Sequence, residues 1–203
     1  MTIGAETPVD VEILRQEIAK TYTEVSTEPD TNFSFPTGHK WAQELGYPEP
    51  ELTWVPEDSV ASFAGVANHW QHGPVMPGET VLDLGCGAGT DLLIAAQMTG
   101  QAGRAIGIDM TASMLERARS SAQAMGLTNV ELHDSLIESL PLEDESVDIV
   151  ISNGVIDLVP DKEAVFSEID RVLRPGGRLQ LADVFIRHEV SEDARKRIDL
   201  WTG

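Results

Sequence analysis

The chain has a single cysteine, Cys86, in 203 residues. One thiol excludes an internal disulfide and a thiolate-built metal cluster. Positive charge is also scarce: 14 basic residues stand against 34 acidic ones, for a formal net charge of −20. A field of that sign repels phosphate backbones, so no nucleic-acid partner is expected. No apolar run approaches the roughly 18 residues that a membrane-spanning helix needs, so no membrane partner is expected either. The amino-terminal stretch MTIGAETPVD lacks the basic and apolar regions of a secretory leader. These absences together read as a cytoplasmic protein.

What is present is an ordinary globular composition, with 41% apolar residues and a length that suits one fold with a substantial core. Residues 1–78 are expected to form a helical and irregular extension covering a ligand site, and residues 79–203 the ligand-binding domain. Val11, Leu14, Ile18 and Tyr22 recur near helical spacing, which predicts an amphipathic helix over 9–22. Pro29, Pro36, Pro48, Pro50 and Pro56 then interrupt any long element. The stretch ASFAGVANHWQHG reads as a wall over a pocket. Trp41, Trp54 and Trp70 either fill the interface between this segment and the rest of the fold or offer an aromatic surface to a substrate. His39, His69, His72, His133 and His188 show no metal-site spacing, and no metal is expected.

From residue 80 the rhythm becomes strand, turn, helix, strand. Thr80–Leu84, Arg104–Ile108, Asn129–His133, Val147–Ser152 and Arg178–Asp183 read as short apolar strands. Between them, Asp91–Met98 reads as a helix, Thr111 caps a second helix that Gly126 stops, and Asp161 caps a third. Strands alternating with helices imply parallel pairing through right-handed crossovers. The fold class is α/β, a Rossmann-like doubly wound and mostly parallel sheet.

In such sheets ligands sit at the carboxyl ends of the strands, where strand order reverses. The turn after the first strand runs from Asp83 through Gly85, Cys86, Gly87 and Gly89 to Asp91. Glycines there let backbone N–H groups approach a ligand closely. Asp109 ends the second strand 20 residues after Gly89, where a carboxylate can accept hydrogen bonds from both hydroxyls of a ribose. An adenosine ligand follows. A dinucleotide site usually spaces its glycines G-x-G-x-x-G, whereas this turn is G-x-G-x-G, so a nicotinamide-dependent oxidoreductase is disfavoured.

Asp83 with the glycine run resembles motif I of the class I S-adenosylmethionine-dependent methyltransferases. FPTG at 35–38, ELGYP at 44–48, VASFAGV at 60–66, IGIDMT at 106–111, ISNGVIDLVPDK at 151–162, RVLRPGGRLQLADV at 171–184 and IDLWTG at 198–203 look like the arsenite methyltransferase branch. The resemblance implies S-adenosyl-L-methionine as cofactor and a small-molecule methyl acceptor. It implies a cofactor site drawn from Asp83, Gly85, Cys86, Gly87, Gly89, Asp109, Met110, Leu136, Ile137 and Asn153. Gly85 and Gly87 would meet the methionine and ribose portion, and Asp109 the ribose hydroxyls. Met110 would pack on an adenine face, Leu136 and Ile137 would line the adenine edge, and Asn153 would stand near the sulfonium. Asn153 and Asp157 are the candidate catalytic residues; Asp157 reads as either a base or a loop carboxylate.

The chain departs from that branch in two ways. Gly154 stands where an arsenic-binding cysteine is expected, and Cys86 reads as a small loop residue. Arsenite is therefore not the expected acceptor, and a cofactor-binding domain without turnover is the alternative. Strands six and seven of the usual seven-stranded sheet are missing from the pattern, with Arg195–Trp201 read as the start of a helix leading to them. The fifth strand would then be an open edge, which either further chain or a homodimer would cover.

Overall fold

The computed structural model describes residues 9–29, 31–188, 190–195 and 197–201. Residues 1–8 of the stretch read for a leader and the last two residues of IDLWTG lie outside the described residues. Helix α1 (Val11–Thr27) opens the chain, followed by three short helices, α2 (Gly38–Glu44), α3 (Glu49–Leu52) and α4 (Glu57–Val60). Then come β1 (Thr80–Leu84), α5 (Thr90–Thr99), β2 (Arg104–Asp109), α6 (Ala112–Ala124), β3 (Val130–Asp134), β4 (Val147–Asn153), α7 (Lys162–Val172), β5 (Leu173–Ala182) and α8 (Glu192–Arg195).

Helix α1 is longer than the apolar spacing alone suggests. Asp10 starts it by accepting from the amides of Glu12 and Ile13 at 3.0 and 3.1 Å. Burial of Val25 and Ser26 carries it past Tyr22. Pro48 and Pro56 do not simply break structure; each sits at the amino cap of a new helix, α3 and α4, where a missing N–H costs nothing. Thr111 precedes α6 as expected but makes no side-chain cap bond; its own amide is held by Asp109 Oδ1 at 2.8 Å. The expected helix from Arg195 to Trp201 is instead the end of α8 and a separate 3₁₀ turn at Ile198–Leu200.

The five strands form one sheet in the order β3-β2-β1-β4-β5, parallel throughout. β5 begins earlier than its apolar run suggests. Leu173 already pairs with Val147, and the register then jumps so that Ile149 meets Arg178. The Pro175-Gly176-Gly177 stretch is thus a bulge inside a strand that starts before the expected Arg178. A Cβ at Gly177 would stand 2.9 Å from Arg174 O and 3.0 Å from Asp148 O, so only glycine allows that approach.

Right-handed crossovers place α5 and α6 on one face and α7 on the other. The α7 face buries Leu82, Val150, Val165 and Ile169 together. On the opposite face Ala42, Tyr47, Leu52, Val60, Phe63 and Trp70 share one core with Leu93, Ile94, Ile149 and Ile151. The amino-terminal segment is therefore packed into the sheet's own core. Helix α5 lies between the two and is buried from Thr90 through Ala96. Strand order reverses between β1 and β4, which puts the topological switch point beside Leu84 and Ser152. No helix among the described residues is long and apolar enough to cross a membrane.

Candidate functional site

A cavity of about 1030 Å³, counting its open mouth, lies at the carboxyl ends of β1, β2 and β4. Its floor is the turn after β1. Gly85 has φ +65°, and a Cβ there would stand 2.5 and 2.6 Å from the two Cγ atoms of Val155. Only a glycine lets the turn lie against the loop after β4 without filling the space between them. Gly87 donates its amide to Asp109 Oδ2 at 2.9 Å. That bond ties the turn to the end of β2.

Among the sequence-predicted residues, Asp83, Gly85, Cys86, Gly87, Asp109, Met110, Leu136, Ile137 and Asn153 line this cavity. Gly89 does not. It precedes α5, and a Cβ on it would come within 3.0 Å of Ala118 Cβ, so its role is to let α5 and α6 pack closely. Cys86 contributes little chemistry: its sulfur lies where a Cβ on Gly107 would be 2.7 Å away, in a cluster with Leu92 and Leu115. Burial, then the Asp109 and Asp83 charges, push its thiol well up, so it stays protonated.

Three carboxyl groups surround the floor. Asp109 accepts from Gly87 and Thr111 amides, yet burial outweighs those bonds and pushes its pKa up. Asp83 is buried and one of its oxygens, Oδ2, has no hydrogen-bond partner. Burial, reinforced by Asp91 and Asp109, holds its pKa well above the usual carboxylate range. Asp91 behaves differently. Burial pushes it up, but the His69 imidazole and hydrogen bonds from Asn153 and Tyr47 outweigh that and bring it below its ordinary value. His69 Nε2 lies 3.3 Å from Asp91 Oδ2, although neither ring nitrogen makes a directed hydrogen bond.

Asn153 is engaged on all sides. Its amide nitrogen donates to Tyr47 Oη, Ala67 O and Asp91 Oδ2 at 3.0, 2.9 and 3.1 Å. Its oxygen accepts from the amides of Val66 and Ala67 at 2.8 and 3.3 Å. Asp157 is not in the cavity lining. It faces Asp183, and burial together with that second carboxyl pushes its pKa up to about 7, against the pull of Lys162.

The sequence reading expected residues 1–78 to cover the site but singled out no side chain of the first helix for it. Arg15, Ile18 and Tyr22 of α1 line the cavity together with Ser135, Leu136 and Ile137. Arg15 bonds Glu138 Oε1 at 2.9 Å and so links α1 to the loop after β3. Tyr22 stacks on Phe35 with ring centroids 5.9 Å apart. Burial, then Asp157, Asp109 and Asp183, push its phenol up, which keeps it neutral. The signal was available: Ile18 and Tyr22 belong to the apolar stripe that defined the helix, and that stripe faces the cavity as well as the core. Among the described residues no three His, Cys, Asp or Glu side chains are grouped to hold a metal ion.

Comparison with known proteins agrees with this geometry. A family described as "Methyltransferase domain" matches residues 76–202. The arsenite methyltransferase of Halobacterium salinarum is 41% identical over 162 residues, which cover 80% of this chain and 41% of that protein. A demethylmenaquinone methyltransferase of Oceanobacillus iheyensis is 36% identical over 105 residues, covering 52% of this chain and 44% of its own length. Among solved structures, an arsenic(III) S-adenosylmethionine methyltransferase from Chlamydomonas reinhardtii superposes with a TM-score of 0.66 at 38% identity. That match covers 72% of this chain and 53% of the algal one. The chain thus spans less than half the length of the two curated relatives. It belongs to the methyltransferase domain family, beside the arsenite methyltransferases that it resembles in sequence and in fold.

Proposed function

We propose that this chain binds S-adenosylmethionine in the cavity at the ends of β1, β2 and β4 and serves transfer of its methyl group to a small-molecule acceptor other than trivalent arsenic. The observation that carries the reading is electrostatic. Asp83, Asp91 and Asp109 all line the cavity, and Asp83 keeps a buried oxygen without a partner. Such a site favours a cation and disfavours a pyrophosphate. The donor carries an ammonium and a sulfonium, so its charge fits where a dinucleotide's does not.

The remaining groups suit the rest of that molecule. Each Asp109 oxygen accepts one backbone amide and retains lone-pair capacity for a ribose hydroxyl. Met110, Met114 and Ile137 offer an apolar bed for a flat base. When bound, the donor supplies an electrophilic methyl, and the protein supplies alignment and a water-poor setting. Gly85 and Gly87 would position the donor's methionine end, while α1 and residues 62–65 would limit solvent access.

Two features support an acceptor other than arsenic. A soft trivalent centre calls for thiolates, and the one thiol is buried and protonated. Gly154 has φ +73° with Val66 Cγ1 3.0 Å from where a Cβ would stand, so a side chain there would meet both strain and crowding. Binding without turnover is supported by a separate observation: neither residue singled out for catalysis is free at the cavity, since Asn153 is bonded on all sides and Asp157 lies outside the lining. A cytoplasmic location and a homodimer through the β5 edge, beyond which Phe185 and Ile186 are exposed, belong to the same reading.

Calorimetry with S-adenosylmethionine, S-adenosylhomocysteine and NAD tests the ligand. Saturable binding of the first two and none of NAD is expected; saturable binding of NAD alone overturns the reading. Radiolabelled methyl transfer to a panel of metabolites, arsenite included, then separates turnover from binding.

A further inference from the structure

Asp91 is 7% exposed, in the first turn of α5, and it gathers more polar contacts than any feature of the glycine turn requires. Tyr47 Oη approaches its two oxygens at 2.8 and 3.0 Å. Trp70 Nε1 donates to Oδ1 at 3.0 Å and Asn153 Nδ2 to Oδ2 at 3.1 Å. These donors come from three separate places: the loop after α2, the 3₁₀ turn at His69–His72, and the end of β4. Removing a carboxylate from water is costly unless its oxygens are satisfied, and a neutral amide could not accept from all of these donors.

The network does not stop at Asn153. The Asn153 side chain both accepts from the Val66 and Ala67 amides and donates to Ala67 O. Gly65 exists to permit this: a Cβ there would lie 2.4 Å from Asn153 Nδ2 and 2.6 Å from Phe63 Cζ. On its other side Gly65 O accepts from Trp41 Nε1 at 2.7 Å. The stretch from Ser62 to Gly65 lines the cavity. A chain of directed bonds therefore runs from Asp91 through Asn153 to a backbone strap along one side of the proposed donor site.

We infer that Asp91 is a positioning residue for this cavity, holding Asn153 and through it the 62–67 strap in the closed arrangement that receives the donor. The binding half of this inference rests on the donor reading above; the anchoring half does not. Carboxylates that orient a neighbouring side chain act in this way by fixing its rotamer and its hydrogen-bond partners.

Two variants test it, Asp91→Asn, which keeps the size but replaces an acceptor with a donor, and Tyr47→Phe, which removes one donor and keeps the ring. Hydrogen exchange at the Val66 and Ala67 amides, the indole N–H resonance of Trp41 and affinity for S-adenosylhomocysteine are read in each. Asp91→Asn should speed exchange at Val66 and Ala67 about tenfold relative to the Val81 and Leu82 amides of β1, shift the Trp41 resonance and weaken binding about tenfold. Tyr47→Phe should move the same readouts in the same direction by a smaller factor. Exchange at Val66 and Ala67 that merely follows the β1 amides, or unchanged affinity in folded protein, overturns the inference. Should Asp91→Asn not fold, Tyr47→Phe decides. Should the wild type fail to bind S-adenosylhomocysteine, the donor reading falls on that result, and the exchange arm still decides whether Asp91 anchors the strap.

Discussion

The two walls of the cavity are built by different means. On the strand side, the backbone itself makes the surface: the glycine turn after β1 lies against Val155, and Asp109 holds the Gly87 amide from one strand away. On the amino-terminal side, residues drawn from positions 15 to 65 make it, fixed by contacts far apart in sequence such as Tyr47 to Asp91 and Trp41 to Gly65. The strand side is rigid because parallel strands set it. The amino-terminal side is rigid only as far as its buried polar network stays intact. A substitution on the first should change what the site binds, and one on the second should change how firmly the site is closed.

Asp109→Ala presses hardest on the strand side. It is expected to weaken S-adenosylhomocysteine binding by roughly 1–3 kcal/mol, since ribose hydroxyls would be left without their acceptor. Calorimetry measures this, and unchanged affinity would remove Asp109 from the site. Trp41→Phe probes the opposite wall with a milder change. Loss of the indole bond to Gly65 O should lower unfolding stability by roughly 0.5–1.5 kcal/mol, seen as a lower urea midpoint. Its effect on affinity should be smaller than that of Asp109→Ala; a larger one would mean that the strap, not Asp109, governs binding.

A further prediction concerns the acid pair Asp157 and Asp183. Asp157 titrates at about 7 in the fold against an ordinary value of 3.8, because burial and Asp183 disfavour its charge. Between those values the folded chain holds a proton that the unfolded chain has released, so stability falls as pH rises from about 4 through 7. Asp157→Asn should flatten that slope. Urea midpoints compared from pH 4 to pH 8 measure it, and a slope equal to that of the wild type would assign the titration to another group.

Much of the strand side was legible in advance. The five strands, the glycine turn and Asp109 announce themselves through patterns a few residues long. The exceptions are instructive. Gly89 shares its motif with Gly85 but serves helix packing, since what a glycine approaches depends on a neighbour, Ala118, that no local pattern names. The early start of β5 was hidden because Leu173 pairs before a bulge that interrupts the apolar run. On the amino-terminal side the apolar stripe of α1 was readable, but not that Ile18 and Tyr22 turn part of it toward the cavity. Asn153 lines the cavity, but no local pattern announced that its bonds run to the strap and to Asp91.

The sequence by itself determined the parallel α/β sheet, the position of its switch point and the acidic, glycine-lined character of the site. These follow from hydrophobic period, turn chemistry and charge, which act over neighbouring residues. Only the tertiary structure decided which carboxylates are paired and which keep an unpartnered oxygen, and it alone revealed Asp91 as the hub of the amino-terminal wall. Burial and hydrogen-bond partners set those properties, and both depend on groups that meet only when the chain has folded.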